Sequence, residues 1–185
     1  MAVAASLLLI LLLSITGYVT NQWIRSNRVV QTYASYNGKS KVILPDGTTV
    51  WLHKETTLEY SSSVWSNQRK VRLNGEACFN VTKDKSRPFI VQSHGVDVKV
   101  YGTVFNVDAR KGKEDVSVSL ISGSVEVATA NETKLIVPGE EATCAKNTGQ
   151  IEVEKTDVAF EALWAQESIR FEKKSIKELS GYLSR

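Results

Sequence analysis

The chain is poor in the residues that carry most enzyme chemistry. Its 185 residues include two histidines, His53 and His94, and two cysteines, Cys78 and Cys144. No His-x-x-x-His, Cys-x-x-Cys, Gly-x-Ser-x-Gly or glycine-rich phosphate loop occurs, so the local patterns for metal, thiol, acyl-transfer and phosphoryl chemistry are missing. No catalytic, cofactor-binding or metal-ligating residue is assigned, and the chain reads as a non-enzyme. A dominant charge sign is missing too. Twenty-three basic and 20 acidic residues leave a net charge of +3. The densest basic stretch, Arg69 to Arg72, is broken by Val71 and reads as the solvent face of a strand, which leaves no patch for nucleic acid.

Charge is also lacking from Ala2 to Val19, a run dominated by Leu7 to Leu13 and Ile15. As a helix these residues span about 27 Å at 1.5 Å each, and continuing to Trp23 reaches the roughly 30 Å of a bilayer core. Tyr18 and Trp23 then fall near the headgroups, with Arg25 and Arg28 in water. A cleaved signal peptide fits less well, because no Lys or Arg precedes Ser6 and no clear Ala-x-Ala follows. A buried core helix would need protein on every side. Residues 1–23 are therefore expected to be a transmembrane helix acting as a signal anchor, with residues 2–23 in the membrane. The positive-inside rule alone would put Arg25 and Arg28 in the cytoplasm; the expectation adopted is instead that the natural chain starts before Met1.

From Val29 to about Glu154 the chain changes to short alternating runs. Val96-Asp-Val-Lys-Val100, Val116-Ser-Val-Ser-Leu120 and Gly123-Ser-Val-Glu-Val127 place apolar and polar side chains on opposite faces, the period of half-buried strands. Turn signals recur at Asn37-Gly38, Pro45-Asp46-Gly47, Asn74-Gly75, His94-Gly95, Lys111-Gly112, Ser122-Gly123, Pro138-Gly139 and Thr148-Gly149. Asn74-Gly75 is expected to join two strands, with Val71 and Leu73 on one and Ala77, Phe79 and Val81 on the next. Arg69 and Glu76 are expected to pair across that hairpin. Gly102 marks a bend or a close backbone approach. Asp46, Glu76, Glu140 and Glu141 sit in or beside predicted turns, where backbone capping explains them, and His53 and His94 read as solvated. By alternation Cys78 shares a face with Glu76 and Asn80 rather than with Phe79. A bridge between Cys78 and Cys144 and two free, partly buried thiols both remain open.

After Lys155 the spacing turns helical. Phe160, Leu163 and Trp164 fall at i, i+3 and i+4, Ile169 to Phe171 suits a strand, and Ser175-Ile-Lys-Glu178 is a capping box. The helix it opens would be apolar along Ile176, Leu179, Tyr182 and Leu183, so the tail reads as a truncated βα unit.

Four segments carry a resemblance: Leu44-Pro-Asp-Gly-Thr-Thr-Val-Trp-Leu52, Arg69-Lys-Val-Arg-Leu-Asn-Gly-Glu-Ala-Cys-Phe-Asn-Val81, Val100-Tyr-Gly-Thr-Val-Phe-Asn-Val107 and Leu135-Ile-Val-Pro-Gly-Glu140. In this order and spacing they resemble the FecR family of membrane-anchored regulators of extracytoplasmic-function sigma factors. The resemblance implies a cytoplasmic anti-sigma segment, one membrane span and a periplasmic mainly β domain, solenoid-like or a twisted sandwich. It also implies a C-terminal module, similar to secretin/TonB short N-terminal domains, that receives a signal from the periplasmic domain of a TonB-dependent transducer.

On this reading residues 24–36 are a juxtamembrane linker and first strand. Residues 37–155 are the periplasmic all-β domain, and residues 156–185 a connecting helix and the start of the C-terminal module. The location implied is the bacterial inner membrane, single-pass, with the β domain in the periplasm. The sigma-binding segment is expected ahead of Met1 and the rest of the C-terminal module beyond Arg185. Transducer contact is assigned to Phe171, Ile176, Leu179, Tyr182 and Leu183. Where the family usually carries an aromatic residue this chain has Cys78, which implies looser packing there. A second reading is a periplasmic or surface β-rich binding module for carbohydrate, motivated by Trp51, Tyr60 and Trp65.

Overall fold

The computed structural model describes residues 2–26, 29–62 and 67–157. Helix α1 (Ala2–Ser26) precedes thirteen strands. Its described side chains, residues 9–21, are all exposed, Leu9 to Leu13, Ile15, Tyr18 and Val19 among them. That part makes about 20 Å of helix at 1.5 Å per residue. Among the described residues no helix is long and apolar enough to cross a membrane.

The strands form two layers that share one member, β5 (Arg69–Asn80). In the first layer β1 (Val29–Ser35) pairs with β4 (Thr56–Ser62), and β4 with the first half of β5. Beyond β5 follow β6 (Phe89–Ser93), β7 (Val96–Val100), β10 (Val125–Ala128) and β11 (Thr133–Ile136). In the second layer β2 (Ser40–Ile43) pairs with β3 (Thr49–Leu52), and β3 with the second half of β5. Then come β8 (Val104–Ala109), β9 (Asp115–Ser122), β12 (Glu140–Ala145) and β13 (Ile151–Lys155). The result is a mainly β, nearly closed barrel-like sheet. Every ladder is antiparallel except β5 with β6. The mainly β expectation is borne out.

The core follows from the alternation. Val71, Leu73, Ala77 and Phe79 of β5 enter one apolar cluster with Val96, Val98 and Val100 of β7 and Val116, Val118 and Leu120 of β9. Phe79 stacks on Phe105 at 5.1 Å and meets Phe89 of the opposite layer at 6.1 Å, which ties the two layers through three fully buried rings.

Seven of the eight expected turns lie between strands. The eighth does not. Asn74 and Gly75 lie inside β5, where Gly75, at φ +118°, lets one strand change layers instead of reversing. At this point β5 exchanges β4 for β3 on one side and β6 for β8 on the other. A Cβ on Gly75 would lie 2.4 Å from Thr56 Oγ1 and 2.8 Å from Thr56 Cα. Thr56 Oγ1 accepts from the Glu76 amide at 3.0 Å and donates to the Glu76 carbonyl at 3.2 Å, which also accepts from the His53 amide at 2.9 Å, so a side chain supplies the partner of the Glu76 amide at the crossing. Gly102 fits the expected close approach: a Cβ there would meet Lys83 Cα at 2.7 Å.

Candidate functional site

Arg69 opens β5 with the same parity as Val71 and Leu73, which turns it inward instead of to solvent. It is 3 % exposed. Its Nη1 donates to Asp46 Oδ2 and to the Thr82 carbonyl, both at 2.9 Å, and its Nε donates to the Arg87 carbonyl at 3.1 Å. The guanidinium also lies 5.5 Å from the Phe89 ring centre. Asp46 Oδ1 accepts the Thr48 amide, the capping expected of it. One buried cation thus clamps the β2–β3 turn, the start of β5 and the 82–88 connection. The expected Arg69–Glu76 contact is absent: with β5 continuous, the two side chains lie seven residues apart on opposite faces.

Glu76 belongs to a second cluster on the outer face of the second layer. It lies mid-strand, not in a turn, directly opposite Asp108. Glu76 Oε1 accepts from Asn106 Nδ2 at 3.1 Å, and Oε2 lies 3.3 Å from Arg110 Nε. Asp108 accepts from Arg110 Nε and Nη2 at 2.9 and 2.7 Å and pairs with Lys113 Nζ at 2.5 Å. Burial pushes the Glu76 carboxyl above its ordinary value, and Asp108 opposite adds to this. At Asp108 burial acts in the same direction, but hydrogen bonds from Arg110 and Lys113 outweigh it and hold the carboxyl below its usual range. Burial, then Arg110 and Lys54, lower His53 beside the cluster. Both carboxylates are committed to binding the β8–β9 connection, leaving neither as a free base.

Next to this cluster a single register line crosses the layer: Lys41, Trp51, Cys78, Asn106, Ser119, Glu141 and Glu154. Cys78 shares this face with Glu76, as alternation implies, and packs against Trp51 and Ile121 apart from the main core. It is buried. Burial pushes its thiol up to about 12 and that of Cys144 up to about 11. Both cysteines are free. Lys41 Nζ lies over Trp51, 5.6 Å from the ring centre. Asn106 was not anticipated; its burial depends on register between strands far apart in sequence.

Of the three aromatics considered as a sugar platform, Tyr60 is core, Trp51 is half-buried and Trp65 lies outside the described residues. A cleft of about 420 Å³ opens where β5 parts from β6, lined by Arg72, Asn74, Gln92, Ser93, His94 and Asp97 among others, with no aromatic wall. His94 occupies the β6–β7 turn at φ +46°, its Nδ1 3.1 Å from Ser93 Oγ, and burial followed by Lys146 lowers its pKa. Glu140, the first residue of β12, accepts the Val137 amide at Oε2, as a turn cap should, whereas Glu141, next along the strand, accepts from Ser119 Oγ. Phe171, Ile176, Leu179, Tyr182 and Leu183 lie outside the described residues, as do Phe160, Leu163 and Trp164. Among the described residues no group of three His, Cys, Asp or Glu could hold a metal ion.

The family model described as FecR protein matches residues 30–126. Two crystal structures of a candidate anti-sigma factor from Parabacteroides distasonis are similar to the chain. Each is 33 % identical with a TM-score of 0.70; they cover 85 % and 84 % of this chain, which spans 74 % of theirs. No curated protein matches significantly.

Proposed function

The chain belongs to the FecR family, and from that premise we propose that it is a membrane-anchored relay regulating an extracytoplasmic-function sigma factor. Helix α1 is the anchor. Residues 2–23 carry no charge and would span about 33 Å as a helix, enough for a bilayer core, and the described apolar side chains of α1 are exposed. A helix apolar on all sides is stable when lipid surrounds it. The β body then lies in the periplasm, and the signal enters from a TonB-dependent transducer through Phe171, Ile176, Leu179, Tyr182 and Leu183. The sigma factor is met by a cytoplasmic segment of the natural protein. The relay works by binding alone, without turnover.

The observation that carries this reading is the FecR match over a β body joined directly to an exposed apolar helix. Topology is its nearest test. Alkaline phosphatase fused after Asp157 in the natural protein should be active in intact cells. An inactive fusion, with a fluorescent cytoplasmic reporter at the same site, would place the β body inside.

A further inference from the structure

The strands are entered and left at one end of the barrel. Val29 opens β1 three residues after Ser26 closes α1. From there the registers run across the first layer: Val29 opposes Ser62, Arg69 of β5 lies beside Phe89 of β6, and Phe89 opposes Val100 of β7. On the far side Ile136 opposes Val125, Lys155 opposes Glu140, and the Thr156 amide donates to the Gly139 carbonyl. The entry from α1 and the exit at Asp157 therefore share this end. Gly75, where β5 changes layers, lies opposite Ala109 at the other end, next to the β8–β9 connection.

On the entry side this end is formed by the 82–88 connection between β5 and β6. Asp84 accepts from the amides of Ser86 and Arg87, at 3.0 and 3.3 Å, and from Arg87 Nε at 3.0 Å. Its own amide donates to the Tyr101 carbonyl at 2.9 Å. Arg69 holds the same segment from within, through the Thr82 and Arg87 carbonyls. The connection is thus fixed with Lys83, Lys85 and Arg87 exposed. Asp84 pairs with Arg87, but Lys83 and Lys85 have no carboxylate partner among the described residues. Tyr101, 43 % exposed, lies beside them. Free lysines flanked by a tyrosine have the chemistry of a membrane interface, where cations meet lipid phosphates and phenol rings sit at headgroup level. The carboxylates of this end, Glu140 and Glu154, lie on the exit side instead.

With α1 as the anchor, the length of chain keeps this end next to the bilayer. From Ser26 to Val29 the chain spans at most about 11 Å, and Trp23, taken at headgroup level, is about 4.5 Å further back along the helix. Val29 therefore starts within about 15 Å of the headgroups, and β6 lies three strand spacings from β1, about 14 Å along the layer. We propose that the 82–88 connection docks through Lys83 and Lys85 on anionic phospholipid headgroups of the membrane that α1 crosses, with Tyr101 in the interface beside them. The proposal rests on the anchor reading and adds to it a contact made by the β body itself. It also puts the exit at Asp157 on the membrane side of that body.

The test uses the full chain in vesicles, with a fluorophore attached through Asn67→Cys, exposed at this end, or through Lys111→Cys, exposed at the other. Native Cys78 and Cys144 are buried and take no label. Quenching by nitroxide-bearing headgroups is read in mixed phosphatidylglycerol and phosphatidylcholine vesicles and in phosphatidylcholine alone. Quenching at position 67 should be several-fold stronger in the anionic vesicles. It should fall to the neutral level in a Lys83→Glu, Lys85→Glu variant and return in Lys83→Arg, Lys85→Arg, while position 111 stays unquenched throughout. Equal quenching at position 67 in both vesicles, or no loss on charge reversal, would overturn the docking. Flotation with the vesicles after an alkaline wash reports the anchor separately. A chain that floats without lipid-dependent quenching loses the docking alone; one that fails to float loses α1 as anchor and the docking with it.

Discussion

Thr56 Oγ1 occupies the space that a side chain on Gly75 would need, 2.4 Å from the position of its Cβ. The same oxygen holds the amide and carbonyl of Glu76. The glycine and the threonine therefore form one device that lets β5 leave one layer for the other.

Gly75→Ala should be severely destabilising. The left-handed backbone alone costs on the order of 1–3 kcal/mol for a non-glycine residue, and the clash reaches Thr56 Cα, which cannot swing away. Thr56→Val keeps the shape but strips two bonds from Glu76, a loss of about 1–3 kcal/mol. Urea unfolding should rank wild type above Thr56→Val above Gly75→Ala. A Gly75→Ala protein as stable as wild type would show that β5 does not cross at this residue.

The Arg69–Asp46 pair is buried on both sides, with side chains 3 % and 7 % exposed. Removing one partner from such a pair typically costs about 3–5 kcal/mol, because the other charge stays buried. Asp46→Ala and Arg69→Met should each approach that loss. The double variant should lose clearly less than their sum, since no orphaned charge remains. Strict additivity in denaturant melts would mean that the two residues act independently.

Glu76 and Asp108 make opposite contributions to stability as pH changes. The Glu76 carboxyl is raised in the folded protein, so its contribution is fully present below its unfolded value near 4.5 and is lost as pH rises through the folded value. The Asp108 carboxyl is lowered, so its contribution is present above 3.8 and is lost as pH falls through the folded value. Glu76→Gln removes the first effect while Arg110 keeps its bonds to Asp108. Its melting temperature should exceed wild type at pH 7, with the gap closing below about pH 4.5. A lower melting temperature at pH 7 would show that the Arg110 contact outweighs desolvation.

Neither thiol should react in the native protein. Cys78 and Cys144 are buried with raised pKa values, and reactivity follows the exposed thiolate. Ellman's reagent should find no thiol before denaturation and both after it. Reaction in the native state would place either cysteine nearer the surface than the fold does.

The strands and most turns were legible in the sequence because alternating valines and glycine-bearing pairs report local geometry. Asn74-Gly75 misled because a glycine tolerates positive φ equally in a hairpin and in a strand that changes layers. Arg69 carried a readable signal, since Val71 and Leu73 share its parity, but its counter-charge lies 23 residues earlier, across a turn. The Trp51–Cys78–Asn106 line was not legible at all. It depends on register among β3, β5 and β8, which no local pattern encodes. The family resemblance rested on longer cassettes and so survived the error at Asn74-Gly75.

Regulation of a sigma factor is tested most directly in the bacterium that carries the natural protein. Its gene is deleted and then restored, and transcription is measured from promoters specific to each extracytoplasmic-function sigma factor of the same cell. One sigma factor's promoters should change several-fold on deletion and return on complementation, and only when α1 is intact. Unchanged promoter activity for every such sigma factor, in both strains, would contradict a role in sigma-factor control.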